Sequence, residues 1–378
     1  MVQAVTVVNS CDAPSDDAEN IQAAILGKNP VFLSAGDYEI GKTIETPFRV
    51  GGTLRGAGSG AYTKPLHTHR GVITVLNATG ENGDEPNPLI KYCGTHFVLS
   101  DLTLRGALIG LWVTRPRDGI GAGKHNFSRL AMQDLSIAFQ IAEQASDNNC
   151  DTSRWSDIMI HQCEIGWRSV GHQAMQHRIE HVQLRQVDTF LDIRGGGGWY
   201  ADDVVMTKAL TRGKSPVLLR IRQTRFGDRG RAAIGRANGD FEIRNLKTDA
   251  QAGSVTLLEH VNDCPITARF LGGRCVEPPA ANIRSNSSLT IRDFAYLGDR
   301  GLSWDGQRGR RVPNITVRDC QVRDITSPHQ LFDFKACGGD CWVTVQNCYV
   351  YPSGKPLGDL VGLVRSNPGN DTWQLIDI

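Results

Sequence analysis

Apolar and polar residues alternate along the chain in short phrases that each end at a polar bend. The clearest are Leu-Thr-Ile-Arg-Asp-Phe (289–294), Ile-Thr-Val-Arg-Asp-Cys (315–320) and Val-Thr-Val-Gln-Asn-Cys (343–348), with looser copies at 97–102, 130–135, 158–163 and 241–246. Period-two alternation predicts a strand, and Asp, Asn or Gln after it predicts a bend held by side-chain bonds to the backbone. Aligning the apolar residue after the bend gives Leu102, Leu135, Cys163, Leu184, Ala209, Leu246, Leu271, Phe294, Cys320 and Cys348, at intervals of 21 to 37 residues. Repeats of this length that carry strands predict a solenoid, a parallel β-helix of about ten to twelve coils. Leucine-rich repeats share the period but need a fixed Leu spacing that is absent. A propeller or sandwich accounts for the recurrence less well.

A second strand follows the first in each coil. Its predicted inward residues are Val113, Ile141, Val170, Ile193, Ile221, Leu258, Ile283, Trp304, Phe334 and Val364. Their neighbours point outward by alternation. The outward pairs are Ser169 and Gly171, Asp192 and Arg194, Arg220 and Arg222, Leu257 and Glu259, Asn282 and Arg284, Ser303 and Asp305, and Asp333 and Lys335. Stacked coils lie about 4.8 Å apart, so these pairs form a mostly charged ladder with a repeat close to the length of one sugar residue. Alternating charges can simply solvate a sheet face. The concentration of arginine favours recognition of carboxylate or sulfate, because a guanidinium binds two oxygens at once. Basic, glycine-rich loops carrying Arg115, Arg117 and Lys124, then Arg225, Arg229, Arg231 and Arg236, then Arg308, Arg310 and Arg311 would wall the ladder.

Upstream, residues 15–26 open on a capping Ser and an acidic first turn, then place Ile21, Ala24 and Ile25 on one face of an amphipathic helix. This helix is expected to cap the first coil. The expected organisation is one β-helix domain over 1–378, with 1–45 as cap and first strands, 46–371 as coils and 372–378 as a terminal strand.

A net charge of +1 gives no polyelectrolyte character that would point to nucleic acid, and no apolar run is long enough for a membrane span. Neither nucleic acid nor membrane is expected as a partner. Cys163, Cys320 and Cys348 fall in a column otherwise filled by Leu, Phe and Ala, and read as small core residues. Cys337 and Cys341 close a short turn, and Cys264 and Cys275 match no zinc spacing. No leader is read ahead of Val2; a secreted, extracellular or periplasmic location is expected.

The opening segment, with Asp16, Asp17, Ile21 to Ile25 and Ser34-Ala35-Gly36-Asp37-Tyr38, resembles the amino-terminal region of pectin-lyase-like β-helix proteins, with Ser34 in place of the usual Pro. The resemblance implies an all-β, right-handed, single-stranded parallel β-helix. Its members include polysaccharide lyases, glycoside hydrolases, epimerases, esterases and tailspikes, so the fold does not select a reaction. Asp192-Ile193-Arg194-Gly195 also looks like the Asp-Ile-Lys-Gly stretch of pectate lyases. That likeness implies Asp192 as a calcium-ligating or charge-organising carboxylate, Arg194 as a substrate-binding cation, and Arg220 or Arg222 as proton acceptor. Ser169 and Gly171 leave calcium short of carboxylates, so no cofactor or metal is expected.

β-Elimination needs a neutralised substrate carboxylate and a base. Asp192, Arg194, Arg220, Arg222 and His172 are the catalytic candidates; Glu259, Arg284, Asp305, Lys335 and Trp199 are the substrate-binding candidates. Hydrolysis would pair Asp192 with Glu259 two coils away, near the outer limit for an inverting pair. Asp202-Asp203 opens a first-type strand, and the polygalacturonase motif order is not met. The expectation is cleavage or binding of an acidic polysaccharide or oligosaccharide by a monomer or homotrimer. Elimination is preferred, paired-carboxylate hydrolysis comes second, and a non-catalytic glycan-binding or tailspike-like role is the other class.

Overall fold

The structure is a computed structural model that describes residues 5–9, 14–27, 29–60, 74–78, 88–114, 122–142, 150–171, 174–222, 239–249, 251–261, 265–277, 279–284, 287–295, 297, 302–305, 314–323, 332–333, 342–351, 354–356 and 374–377. Several expectations lie outside these residues. They are His172, Phe334, Lys335, Val364, Cys264, Cys337, Cys341 and every basic loop residue named above except Lys124.

The alternating phrases are strands, and each pairs in parallel with its counterpart one coil on. Among the described residues twenty-four strands join in one sheet network, which makes the chain a parallel β-helix, as the repeat and the resemblance predict. Four long strands, Ile90–Arg105, Asn126–Ile141, Arg154–Ser169 and Met175–Ile193, keep their pairing straight through their bends. Asp101, Arg129, Asp157, His181, Asp203 and Asn245 turn the chain at positive φ. Gly106, Asp134, Gln162 and Gln186 make a further column of bends five residues later.

That doubling corrects the sequence alignment. Leu102 pairs with Leu130, which continues to Ile158, Val182 and Val204. Leu135 and Cys163 stand in the later column with Val187. Leu184 pairs with Ile160 and Met206, and Leu271 with Arg244 and Arg292. Both bends follow an alternating strand with a polar residue, so the motif alone does not tell them apart. Cys163, Cys320 and Cys348 are buried, as expected of core residues.

Coil-on-coil stacking puts like on like inside. Phe127 and Trp155 lie with ring centroids 4.3 Å apart and Phe139 and Trp167 at 4.8 Å, while Tyr92 and Phe97 stack at 4.0 Å within one coil. Such rings supply large apolar areas, each fully buried side chain contributing about 1.5–3 kcal/mol. Helix Pro14–Leu26 buries Ala18, Ile21 and Ile25 against the first strands, with Ala24 partly buried beside them. Among the described residues no helix is long and apolar enough to cross a membrane.

Candidate functional site

The second-strand ladder exists, and its register fixes which side chains meet. Trp112, Gln140, Arg168, Asp192, Arg220, Glu259, Asn282 and Ser303 follow one another coil by coil. The expected outward pair Ser169 and Gly171 is therefore shifted by one residue. Ser169 points inward and is fully buried, its hydroxyl donating to the Gly195 carbonyl at 2.8 Å, while Arg168 and Val170 flank it outside. A slip of one residue moves every side chain to the other face, and here it hid an arginine. Trp167, large, apolar and fully buried, was the signal that could have set the register. In a later coil Glu259 holds its outward place, whereas Leu257 is buried and His260, not Leu258, aligns with Ile221.

Arg168 completes a cluster. Asp192 projects between the core residues Leu191 and Ile193, yet is 0% exposed. Its Oδ2 accepts from Arg168 Nε and Arg194 Nε, each at 3.2 Å, and its Oδ1 lies 3.6 Å from Arg222 Nε. Three cations on one carboxylate leave a surplus of two positive charges. The Arg194 and Arg222 side chains are about two-fifths exposed, at 40% and 41%, and Arg168 is 20% exposed. Burial, followed by the charge of Arg194, holds the Arg168 guanidinium below its usual range against the pull of Asp192. This patch combines fixed positive charge with partial desolvation, the conditions under which guanidinium binds a carboxylate or sulfate strongly.

The other candidates divide. Arg220 is next to the cluster but occupied: Nε donates to Glu259 Oε2 at 2.6 Å and Nη1 to Thr189 Oγ1 at 2.8 Å. Asp192 and Glu259 do stand two coils apart with Arg220 between them. Asp192 is sealed, however, and Glu259 is ion-paired, so they do not present two free carboxylates. Arg284 binds back to His260, its backbone N–H to the ring Nδ1 and its Nε to the carbonyl. Asp305 ends strand Leu302–Asp305 in register with Arg284. Trp199, expected to stack on sugar, is 1% exposed and stacks instead on buried His177 at 4.2 Å. The neighbouring glycines are required by packing, since a Cβ on Gly195 would sit 2.4 Å from the Val170 carbonyl oxygen.

Calcium, which the resemblance raises, does not fit this donor set. A hard cation takes six to eight oxygen ligands, and both Asp192 oxygens already face guanidinium groups. Among the described residues no group of three or more His, Cys, Asp or Glu side chains is arranged to hold a metal ion.

A second feature was not anticipated. Two cavities, of about 510 and 420 Å³, follow the first bend column and share Asp203. Asp101, Arg129, Asp157, His181 and Asp203 line the larger one above a floor that includes Ala131, Met159, Gln183 and Val205. His181 is a turn residue at positive φ, and Asp203 is one half of the Asp-Asp pair.

No protein-family model and no curated protein matches the chain. Similar solved structures are catalytic domains of GH87 α-1,3-glucanases. One is an alanine variant in complex with tetrasaccharides (TM-score 0.44, 12% identity), one a domain in complex with nigerose (0.40, 11%), and one another alanine variant with nigerose (0.42, 12%). Each alignment covers 96% of this chain and 68% of the other. At this identity and overlap the likeness transfers neither site nor activity to the chain.

Proposed function

We propose that the chain is a carbohydrate-active β-helix protein that engages an anionic polysaccharide on its arginine ladder. The observation that carries this reading is the convergence of Arg168, Arg194 and Arg222 on buried Asp192. Asp192 fixes the three guanidinium groups and cannot itself reach a substrate. Arg194 and Arg222 present the surplus charge to solvent, where a uronate or sulfate on one sugar residue would dock. A location outside the cytoplasm, where such polymers are met, belongs to the same proposal.

For chemistry, elimination is the reading that uses the groups on this face. Arg194 and Arg222 neutralise the substrate carboxylate, which acidifies the adjacent C–H. Arg168, whose proton affinity burial and the charge of Arg194 lower, is the base candidate once it has given up its own proton to solvent, replacing Arg220, which is tied to both Glu259 and Thr189. The C–H proton passes to the base, a carbon–carbon double bond forms, and the glycosidic oxygen leaves with a proton from solvent. Hydrolysis is the second reading, and one observation favours it: exposed carboxylates spaced two coils apart, Asp157 and Asp203, lie in the bend groove.

The test is a panel of uronate and sulfated polysaccharides, scored for binding by calorimetry, for unsaturated uronate by ultraviolet absorbance, and for reducing ends. Binding that Arg222→Ala weakens supports the anionic site. Unsaturated product assigns elimination, and reducing ends without unsaturation assign hydrolysis. Absence of binding to every anionic polymer sinks the reading.

A further inference from the structure

The bend column carries more charge than a bend needs. Left-handed backbone costs an ordinary L-residue about 1–2 kcal/mol, and Asn and Asp enter it most readily. Asn245 and Asn347 show that a neutral Asn can turn this chain. Yet five successive coils place Asp101, Arg129, Asp157, His181 and Asp203 there, at φ of 60°, 50°, 56°, 53° and 52°. Arg129 is not a residue that left-handed backbone favours, whereas Asp and His enter it more readily. Strain held at the rim of a cavity is reason to look for function there.

The charges in that groove already answer one another. Arg129 makes two bonds to Asp101, at 2.5 and 2.8 Å, and Arg55 a third contact at 3.0 Å. His181 Nδ1 lies 3.4 Å from Asp157 Oδ1, and Lys247 Nζ lies 3.4 Å from Asp203 Oδ1. Three cations, Arg55, Arg129 and Lys247, face three carboxylates, Asp101, Asp157 and Asp203, so these groups together present no surplus of positive charge to an anion. What remains is a row of acceptors and donors, carboxylates with Gln183 and His181, over a partly apolar floor of Ala131, Met159 and Val205. Carboxylates accept from sugar hydroxyls, guanidinium and amide groups donate to them, and apolar floor atoms meet the C–H face of a ring. The bends recur once per coil, about 4.8 Å apart, so successive sugar residues would meet successive coils.

We propose that the bend groove from Gly58–Gly60 to Arg274 is a second carbohydrate-binding site that takes an uncharged oligosaccharide, separate from the arginine ladder. This proposal rests on the carbohydrate-active reading but uses different residues, and it extends to neutral sugars what the ladder does for charged ones.

The test uses the full chain and a panel of uncharged hexa-oligosaccharides (maltohexaose, cellohexaose, mannohexaose and xylohexaose), titrated calorimetrically to about 1 mM. Gln183 is exposed on the groove floor, so Gln183→Trp blocks the groove without entering the core. At least one sugar is expected to bind the native chain, about tenfold more weakly to Asp203→Asn, not measurably to Gln183→Trp, and unchanged to Arg222→Ala. No binding by any panel member, or binding that survives Gln183→Trp, overturns the proposal. Arg222→Ala measured against an oligouronate reports on the ladder alone. Loss of the anionic reading with neutral binding intact therefore leaves this site standing, and the reverse result removes only this site.

Discussion

The second-strand ladder and the bend column are built from the same repeat, and both stack acids against bases, but they use charge in opposite ways. On the ladder, one fully buried carboxylate sits beneath three arginines and leaves a positive surplus facing outward. Along the bends, acids alternate with bases and, Asp101 at 12% excepted, stay largely in water: Arg129 is 51% exposed, His181 64% and Asp157 53%. A buried ion costs several kcal/mol to desolvate, and removing its partners strands it; an exposed pair contributes little either way. The same sheet geometry therefore yields one ladder on which the local fold depends and another free to exchange its partners for a ligand.

Asp192→Asn should break that contrast most severely. It leaves Arg168, Arg194 and Arg222 repelling one another in a partly dry site, and a loss of about 3–5 kcal/mol is expected in urea unfolding. A loss below about 1 kcal/mol would mean that the carboxylate is not what holds the cluster. The structure thus changes what a substitution at Asp192 reports: it tests the fold before it tests any reaction.

Acid should come next, through groups that belong to neither ladder. Burial pushes His125 and His177 down to about 3. A histidine with a depressed folded pKa favours folding fully above its unfolded value, near 6.5, and loses that contribution as pH falls toward the folded value. Each should cost about 1.4 kcal/mol per pH unit between about 6.5 and 3. Most exposed carboxylates stay ionised over the upper part of that range, so a fall in thermal midpoint between pH 6.5 and 4.5 reports on the interior rather than the ladders. His177→Phe should remove about half the slope, and an unchanged slope would place the acid sensitivity elsewhere.

Arg222→Ala should leave folding nearly intact while weakening anionic polymer binding about ten- to hundredfold, the size of one charge-assisted double contact. The same variant should not alter occupancy of the bend groove. Equal losses on both faces would show that the two regions are coupled rather than independent.

The solenoid was legible because strand alternation and polar bends are dictated locally, and the phrases at 289–294, 315–320 and 343–348 repeat both. Register was less legible, since it depends on which residues turn inward, and two inward positions are polar. Ser169 satisfies its hydroxyl on the Gly195 carbonyl, and His260 its ring nitrogen on the Arg284 N–H. Once paired, such residues sit in a core without an apolar signature. An alternation rule that seeks apolar residues chose Val170 instead, and Arg168 was lost with that step. The bend groove stayed hidden for another reason. Asp101, Arg129, Asp157, His181 and Asp203 interleave Asp with Arg and His rather than repeating one residue, and only strand pairing brings them into one column.

The smallest predicted effect is the one that separates the two kinds of ladder most cleanly. Hydrogen bonding from Arg129, ahead of the opposing cost of burial, holds the Asp101 carboxyl below its ordinary value. Its contribution to stability is therefore present above the unfolded carboxylate value, near 3.9, and disappears as pH falls through the folded value. Because Arg129 and Arg55 are more than half exposed, Asp101→Asn should cost only about 1 kcal/mol at pH 7. That difference should shrink in about 0.5 M salt, where screening acts within a few ångströms, and should vanish at acid pH. Asp192→Asn should keep most of its cost in the same salt, since screening ions do not enter a site with no exposed carboxylate surface. If salt reduced both penalties by the same fraction, Asp192 would be as accessible to ions as Asp101, and the division of this solenoid into a sealed ladder and an open one would fail.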